Sequence, residues 1–157
     1  MKHLTPHLAQ LALLAVTVFG GMAAANADDV RACDFTVKAR CASGSARITF
    51  VGGTLKRVEV DVDWCGAKGA PGYTCSIDAS RGDKDSQWSD ANGATTIANL
   101  APYDATHPDS MKVTTGRTVS IDLANMQSLG RCGAGAELPR AIVIPEKKGA
   151  CRVRLGE

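Results

Sequence analysis

Leu55-Lys56-Arg57-Val58-Glu59-Val60-Asp61-Val62-Asp63-Trp64 alternates apolar and polar side chains along its length. Successive side chains take opposite faces in an extended strand. Val58, Val60, Val62 and Trp64 therefore share a buried face, while Arg57, Glu59, Asp61 and Asp63 meet water. The preceding run, Ala46-Arg47-Ile48-Thr49-Phe50, alternates in the same way, and Gly52-Gly53-Thr54 lies between them. The pair predicts a β-hairpin.

Its register follows from facing, because a slip of one residue moves every apolar side chain to the wrong side. A two-residue turn at Gly52-Gly53 sets Phe50 opposite Leu55 and Ile48 opposite Arg57, which splits the apolar set. A three-residue loop sets Ile48 opposite Val58, Ala46 opposite Val60 and Arg47 opposite Glu59, and this register is preferred. Extended further, it places Cys41 opposite Cys65, at the separation of about 4.5 to 5.5 Å that suits a disulfide.

The chain has six cysteines, and the other four are Cys33, Cys75, Cys132 and Cys151. Pairing sequence neighbours would join Cys33 to Cys41. Phe35, Val37 and Ala39 alternate, however, and a strand from Cys33 to Cys41 covers about 26 Å. The remaining bridges are therefore expected to be Cys33 with Cys75 and Cys132 with Cys151, one choice among the pairings that six cysteines allow.

Further strands are expected at Tyr73 to Ala79, Met111 to Thr115, Thr118 to Leu123, Pro139 to Pro145 and Ala150 to Leu155. Asn92-Gly93 forms a hairpin turn between Gln87-Trp88 and Thr95-Ile97. One short helix is predicted from Leu123 to Leu129, capped by Asp122 and ended by Gly130. The expected fold is all-β: a small disulfide-stapled antiparallel sandwich or barrel of about eight or nine strands with at most one short helix.

At the N-terminus, Lys2 precedes an apolar run from about Leu8 to Phe19, and small residues end in Ala25-Asn26-Ala27. This is the pattern of an export signal with an A-x-A cleavage site. The run is shorter than the roughly 20 residues that cross a bilayer. Residues 1–27 are thus expected to be a cleaved signal peptide and residues 28–157 a single β-domain in the periplasm or medium. No membrane attachment is expected after cleavage. In that compartment the cysteines oxidise.

Cleavage removes Lys2 and no acid, leaving a charge one unit below the whole chain's +2. The basic residues read as scattered, which argues against nucleic acid as a partner. His3 and His7 leave with the signal, so His107 is the one imidazole of the expected mature chain. That excludes a zinc site built on several histidines, and no serine stands in a Gly-x-Ser-x-Gly elbow. Asp83-x-Asp85-x-Gln87 begins like a calcium loop, but Trp88 and Ala94 occupy its glycine and glutamate positions. Asp61 and Asp63 share a strand face as paired hydrolase carboxylates do, without a cleft of sugar-stacking aromatics to serve them. No catalytic set, metal or cofactor is expected.

Two segments offer binding chemistry. Ala98 to Ser110 carries Tyr103, Asp104, His107 and Asp109 and is stiffened by Pro102 and Pro108, and long loops on β-scaffolds often bind partners. Arg131 to Arg140 is a thin glycine-containing segment with Cys132 at its base and Glu137 and Arg140 beyond. Anchored by a disulfide, it could enter another protein's cleft at low ordering cost. Trp88, in a polar context, is either a contact residue or a lid over the core edge. The expected function is non-enzymatic binding of a protein or envelope polymer, with hydrolase inhibition as one form of it. A small-ligand, carbohydrate or calcium module is the alternative, and a carboxylate hydrolase a third reading.

Overall fold

The computed structural model describes residues 28–66, 72–100, 109–128, 131–133 and 136–156. Strands β1 (Asp29–Val37), β2 (Ala42–Val51), β3 (Thr54–Trp64) and β4 (Tyr73–Ser80) form a first antiparallel sheet in the order β1-β2-β3-β4. Strands β5 (Gln87–Ala91), β6 (Ala94–Ala98), β7 (Ser110–Thr115), β8 (Val119–Asn125), β9 (Ala141–Ile144) and β10 (Arg152–Arg154) form a second, in the order β10-β9-β8-β7-β6-β5. Each strand pairs with its neighbour in sequence, and residues 81–86 carry the chain from one sheet to the other. The result is a sandwich, not a closed barrel.

One apolar cluster fills the space between the sheets. Ile48, Val58, Val60, Val62, Cys75 and Ile77 come from the first, and Ile97, Met111, Val113, Val119, Ile121, Ile142 and Ile144 from the second. Burial of each large aliphatic side chain contributes about 1.5 to 3 kcal/mol. Aromatic residues make up 4% of the chain, so β-branched and other aliphatic side chains carry this core.

The hairpin combines both registers considered from the sequence. Gly52 and Gly53, with φ of 58° and 76°, make the two-residue turn, and Phe50 faces Leu55. Lys56 then bulges, and from Thr49 onward Ile48 meets Val58, Arg47 meets Glu59 and Ala46 meets Val60. The Lys56 carbonyl accepts the Arg81 N–H at 2.8 Å, so the bulge has a partner outside its own hairpin. A bulge lets glycine take the turn while the valines keep their inward face.

Two local expectations are corrected. The strand through Phe35 stops at Val37, where a 3-10 turn, Lys38–Arg40, and Cys41 at φ 48° fold the chain back into β2. The helix at Leu123–Leu129 is replaced, in its described part, by β8 and a turn: Leu123 donates to the Arg140 carbonyl at 2.8 Å and Met126 to the Leu123 carbonyl at 2.9 Å. Val119, Ile121 and Leu123 are buried at period two, and that sheet-facing pattern outweighs the capping signal. Asp122 instead accepts the Ala124 N–H at 3.0 Å.

The bridges join Cys41 to Cys65, Cys33 to Cys151 and Cys75 to Cys132, with Cα separations of 5.5, 5.3 and 4.2 Å. Only the first was paired correctly from the sequence. Cys33 lies on β1 and Cys75 on β4, the two edges of a four-stranded sheet. Three strand spacings, about 14 Å, put them beyond disulfide reach. Edge strand β1 instead neighbours the start of β10, where the Cys151 N–H donates to the Asp34 carbonyl at 2.9 Å. The expected signal segment lies outside the described residues. Three disulfides suggest an oxidising, extracytoplasmic environment. Among the described residues no helix is long and apolar enough to cross a membrane.

Candidate functional site

In the connection from β8 to β9, the described residues between 126 and 140 have almost no regular structure, yet they are fixed at many points. Met126, Ala136 and Leu138 are buried. Cys132 is tied to β4 through Cys75. The Ser128 carbonyl accepts the Cys132 N–H at 2.9 Å, and the Ser128 hydroxyl accepts the Leu138 N–H at 3.0 Å. From the first sheet, the half-buried Trp64 donates its indole N–H to the Glu137 carbonyl at 3.1 Å. Gly133 lies against the Tyr73 ring, where a Cβ would come within 1.9 Å of Cδ1.

Beneath the segment sits an ion pair. The Arg131 guanidinium donates to Asp109 Oδ2 at 2.5 Å and also to the Leu100 carbonyl, while Asp109 Oδ1 accepts the Gln127 N–H at 3.0 Å. The Asp109 side chain is fully buried and that of Arg131 is 16% exposed. A buried carboxylate persists only when its oxygens are paired, and here both are. The pair locks this segment to the start of β7. Asn99 donates to the Asp109 carbonyl at 3.0 Å, which closes the described ends of the second candidate loop.

Glu137 and Arg140 are exposed near the end of the fixed segment. Glu137 reaches toward Gly156, and the Arg140 N–H donates to the Arg154 carbonyl at 2.8 Å. Tyr73, 36% exposed, stands beside Gly133. Trp88 is not part of this group. It sits on β5, the edge of the second sheet, half-buried against the core, with its indole N–H on the Ser86 hydroxyl at 2.8 Å and the Arg81 guanidinium 5.0 Å above its ring. Arg81 also donates to both oxygens of Asp90, at 2.7 and 2.9 Å, and to the Leu55 carbonyl at 3.0 Å. These bonds, together with the Thr95 hydroxyl at 2.7 Å, hold the Asp90 carboxyl below the usual carboxylate range. Trp88 is thus clamped across the junction of the sheets. Tyr103 and His107 lie outside the described residues.

The acidic side chains do not converge. Among the described residues no three His, Cys, Asp or Glu side chains are placed to hold a metal ion. Asp61 and Asp63 lie on the flat outer face of β3, accepting from Ser76 at 2.6 Å and Thr74 at 2.8 Å. Asp78 pairs with Arg57 at 2.6 Å, a hydrogen bond that holds the guanidinium protonated beyond its ordinary range. Asp83 accepts the Ser80 N–H at 2.9 Å and turns the chain out of β4. A cavity of about 400 Å³ opens beside that turn, lined by Asp83, Lys84, Asp85, Ser86, Leu100 and Arg131 among others.

Sequence reasoning missed Tyr73 and the Asp109–Arg131 pair. Tyr73 read as a strand start, and nothing in the spacing of residues 109 and 131 announces a contact. The one available signal was Arg131 next to Cys132, a cation beside a bridge in an otherwise uncharged glycine stretch. The fold and bridges define a disulfide-stapled, two-sheet antiparallel sandwich. No protein-family model, curated protein or solved structure matches the chain.

Proposed function

We propose that the protein is exported to the periplasm or medium and works there without catalysis, docking on another macromolecule through the Arg131–Arg140 segment. A hydrolase with an open cleft is the first partner class to assay. The observation that carries this reading is an irregular connection already held by a disulfide, a buried ion pair and an indole hydrogen bond, with Glu137, Arg140 and Tyr73 at its surface. Contact residues already held in place in the free protein lose little conformational entropy on docking, so modest contacts suffice for affinity. The carboxylates of Asp61 and Asp63, engaged by their neighbours on a flat face, favour binding over hydrolysis.

The test is a pull-down from envelope and culture-medium fractions with folded mature protein, beside a variant carrying Tyr73→Ala, Glu137→Ala and Arg140→Ala. A partner retained by the native chain and lost by the variant is the expected result. Retention of the same partners by both would overturn the assignment. The cavity beside Asp83 motivates a second reading, a small-ligand module, and a melting temperature that rises with added sugars or Ca²⁺ while the pull-down stays empty would favour it.

A further inference from the structure

Most basic residues are spread over the molecule, but four of them gather on and beside the edge strand β10. Arg152 and Arg154, on β10, point to the outer face of the second sheet, with Val153 between them packed on the core. Lys147 and Lys148 are exposed in the turn leading to that strand. Neither arginine side chain has a hydrogen-bond or ion-pair partner among the described residues. Residues two apart on a strand stand roughly 6.5 to 7 Å from one another. Between and beside the two guanidinium groups is a shallow cavity of about 370 Å³, floored by Ser120, Ala141 and Val143. Register explains the floor: Arg152 pairs with Val143 and Arg154 with Ala141, Ser120 on β8 lies beyond Val143, and Asp122 lies beyond Ala141 with Lys112 opposite it and its Oδ1 on the Ala124 N–H.

We propose that this face binds an acidic polysaccharide whose sugars carry carboxylates. Unpaired arginines form forked hydrogen bonds with planar carboxylates, and their spacing lets each meet a separate group on a repeating chain. Small apolar side chains beside them accept the face of a sugar ring, and the Ser120 hydroxyl is within reach of its hydroxyls. The lysines of the turn extend the positive field along the polymer. An anionic bilayer fits less well, because the exposed large hydrophobic residues among those described, Val30, Val51 and Tyr73, all belong to the first sheet. Single-stranded nucleic acid would call for stacking aromatics, which this face lacks. The surface differs from the Cys132 segment, and the inference does not rest on its role.

The experiment is a titration of the mature chain with polygalacturonate, with neutral dextran, single-stranded DNA and phosphatidylglycerol vesicles in parallel, at low and high salt. Polygalacturonate should bind, weaken with salt as exposed charges are screened, and lose at least about tenfold in affinity with Arg152→Ser and Arg154→Ser together, roughly one charge-assisted hydrogen bond. Arg40→Ser with Arg47→Ser removes the same charge elsewhere and should leave binding nearly unchanged. Equal losses from both double variants would reduce the effect to net charge and overturn the site. So would an absence of polygalacturonate binding, or tighter binding to DNA or vesicles. Arg152→Lys with Arg154→Lys keeps charge and fold, and its intermediate affinity is expected if forked recognition contributes.

Discussion

A Cβ built on Gly44 would lie 2.2 Å from the Asp61 carbonyl oxygen and 2.6 Å from the tip of the Phe35 ring. Phe35 is its cross-strand partner, and its ring fills the space a side chain would take. Because one obstacle is backbone, Gly44→Ala should cost about 1 to 3 kcal/mol, the range for overpacking. A denaturant midpoint equal to that of the native chain would show that the strands can part there. Asp90 makes a different prediction. Its folded pKa lies below its unfolded one, so its contribution is full above the ordinary carboxylate range and lost as pH falls through the folded value. Asp90→Asn should therefore melt earlier than the native chain at neutral pH, and the two melting curves should converge in acid. The gap will be small, because the pair is exposed. A gap that stayed constant into acid would dissociate it from ionisation. Residue type alone singled out Trp88 but not Arg81, whose reach to Asp90, Leu55 and the indole depends on the chain folding back after β4.

Elements were legible wherever periodicity and burial agreed. Val58, Val60 and Val62 gave the facing of β3 and the register beyond Thr49, but the three-residue loop preferred for that facing is in fact a two-residue turn at Gly52-Gly53. The two demands differ by one residue, which the bulge at Lys56 absorbs. Alternation cannot announce such an insertion, because either register is locally consistent. The β8 misreading has a similar origin: Asp122 and Gly130 resemble helix caps, but Leu123 belongs to a period-two run whose partner, β9, is reached only after the Cys132 segment. Cys41–Cys65 followed from the hairpin register, but the other two pairings failed because they depend on sheet order, which no single strand reveals. The bridge at Cys132 should hold its segment more than it holds the sheets. Cys75→Ala with Cys132→Ser is expected to lower stability by about 2 to 4 kcal/mol and to speed amide exchange at Leu138 and Cys132 well beyond that at Val60. Uniform acceleration across both would mean that the segment and the core open together.

Across the whole molecule the near-neutral charge conceals a separation. On the outer face of the first sheet Asp34, Glu59, Asp61, Asp63 and Asp78 outnumber Arg47 and Arg57, while on that of the second Lys112, Arg152 and Arg154 outnumber Asp122. Composition reports only the balance. Lys147, Lys148, Arg152 and Arg154 fall within one short stretch already expected as two strands and the turn between them, yet composition alone reads them as scattered. The candidate segment was less legible than the fold: Cys132, Glu137 and Arg140 were named from the sequence, but the side chains that hold their segment come from β3, β4 and the start of β7.

The bridges are nested: the first cysteine pairs with the last, the second with the third and the fourth with the fifth. A chain made from its N-terminus therefore presents Cys33 to Cys41 long before Cys151 exists. Pairing in order of appearance would join Cys33 to Cys41, Cys65 to Cys75 and Cys132 to Cys151, none of them a native bridge. Oxidative maturation must then either spare Cys33 or undo its first bond by thiol exchange. Refolding from the reduced state should accumulate a species that holds Cys41–Cys65 and Cys75–Cys132 with Cys33 and Cys151 still alkylatable, so the link between the two ends of the chain closes last and marks completion.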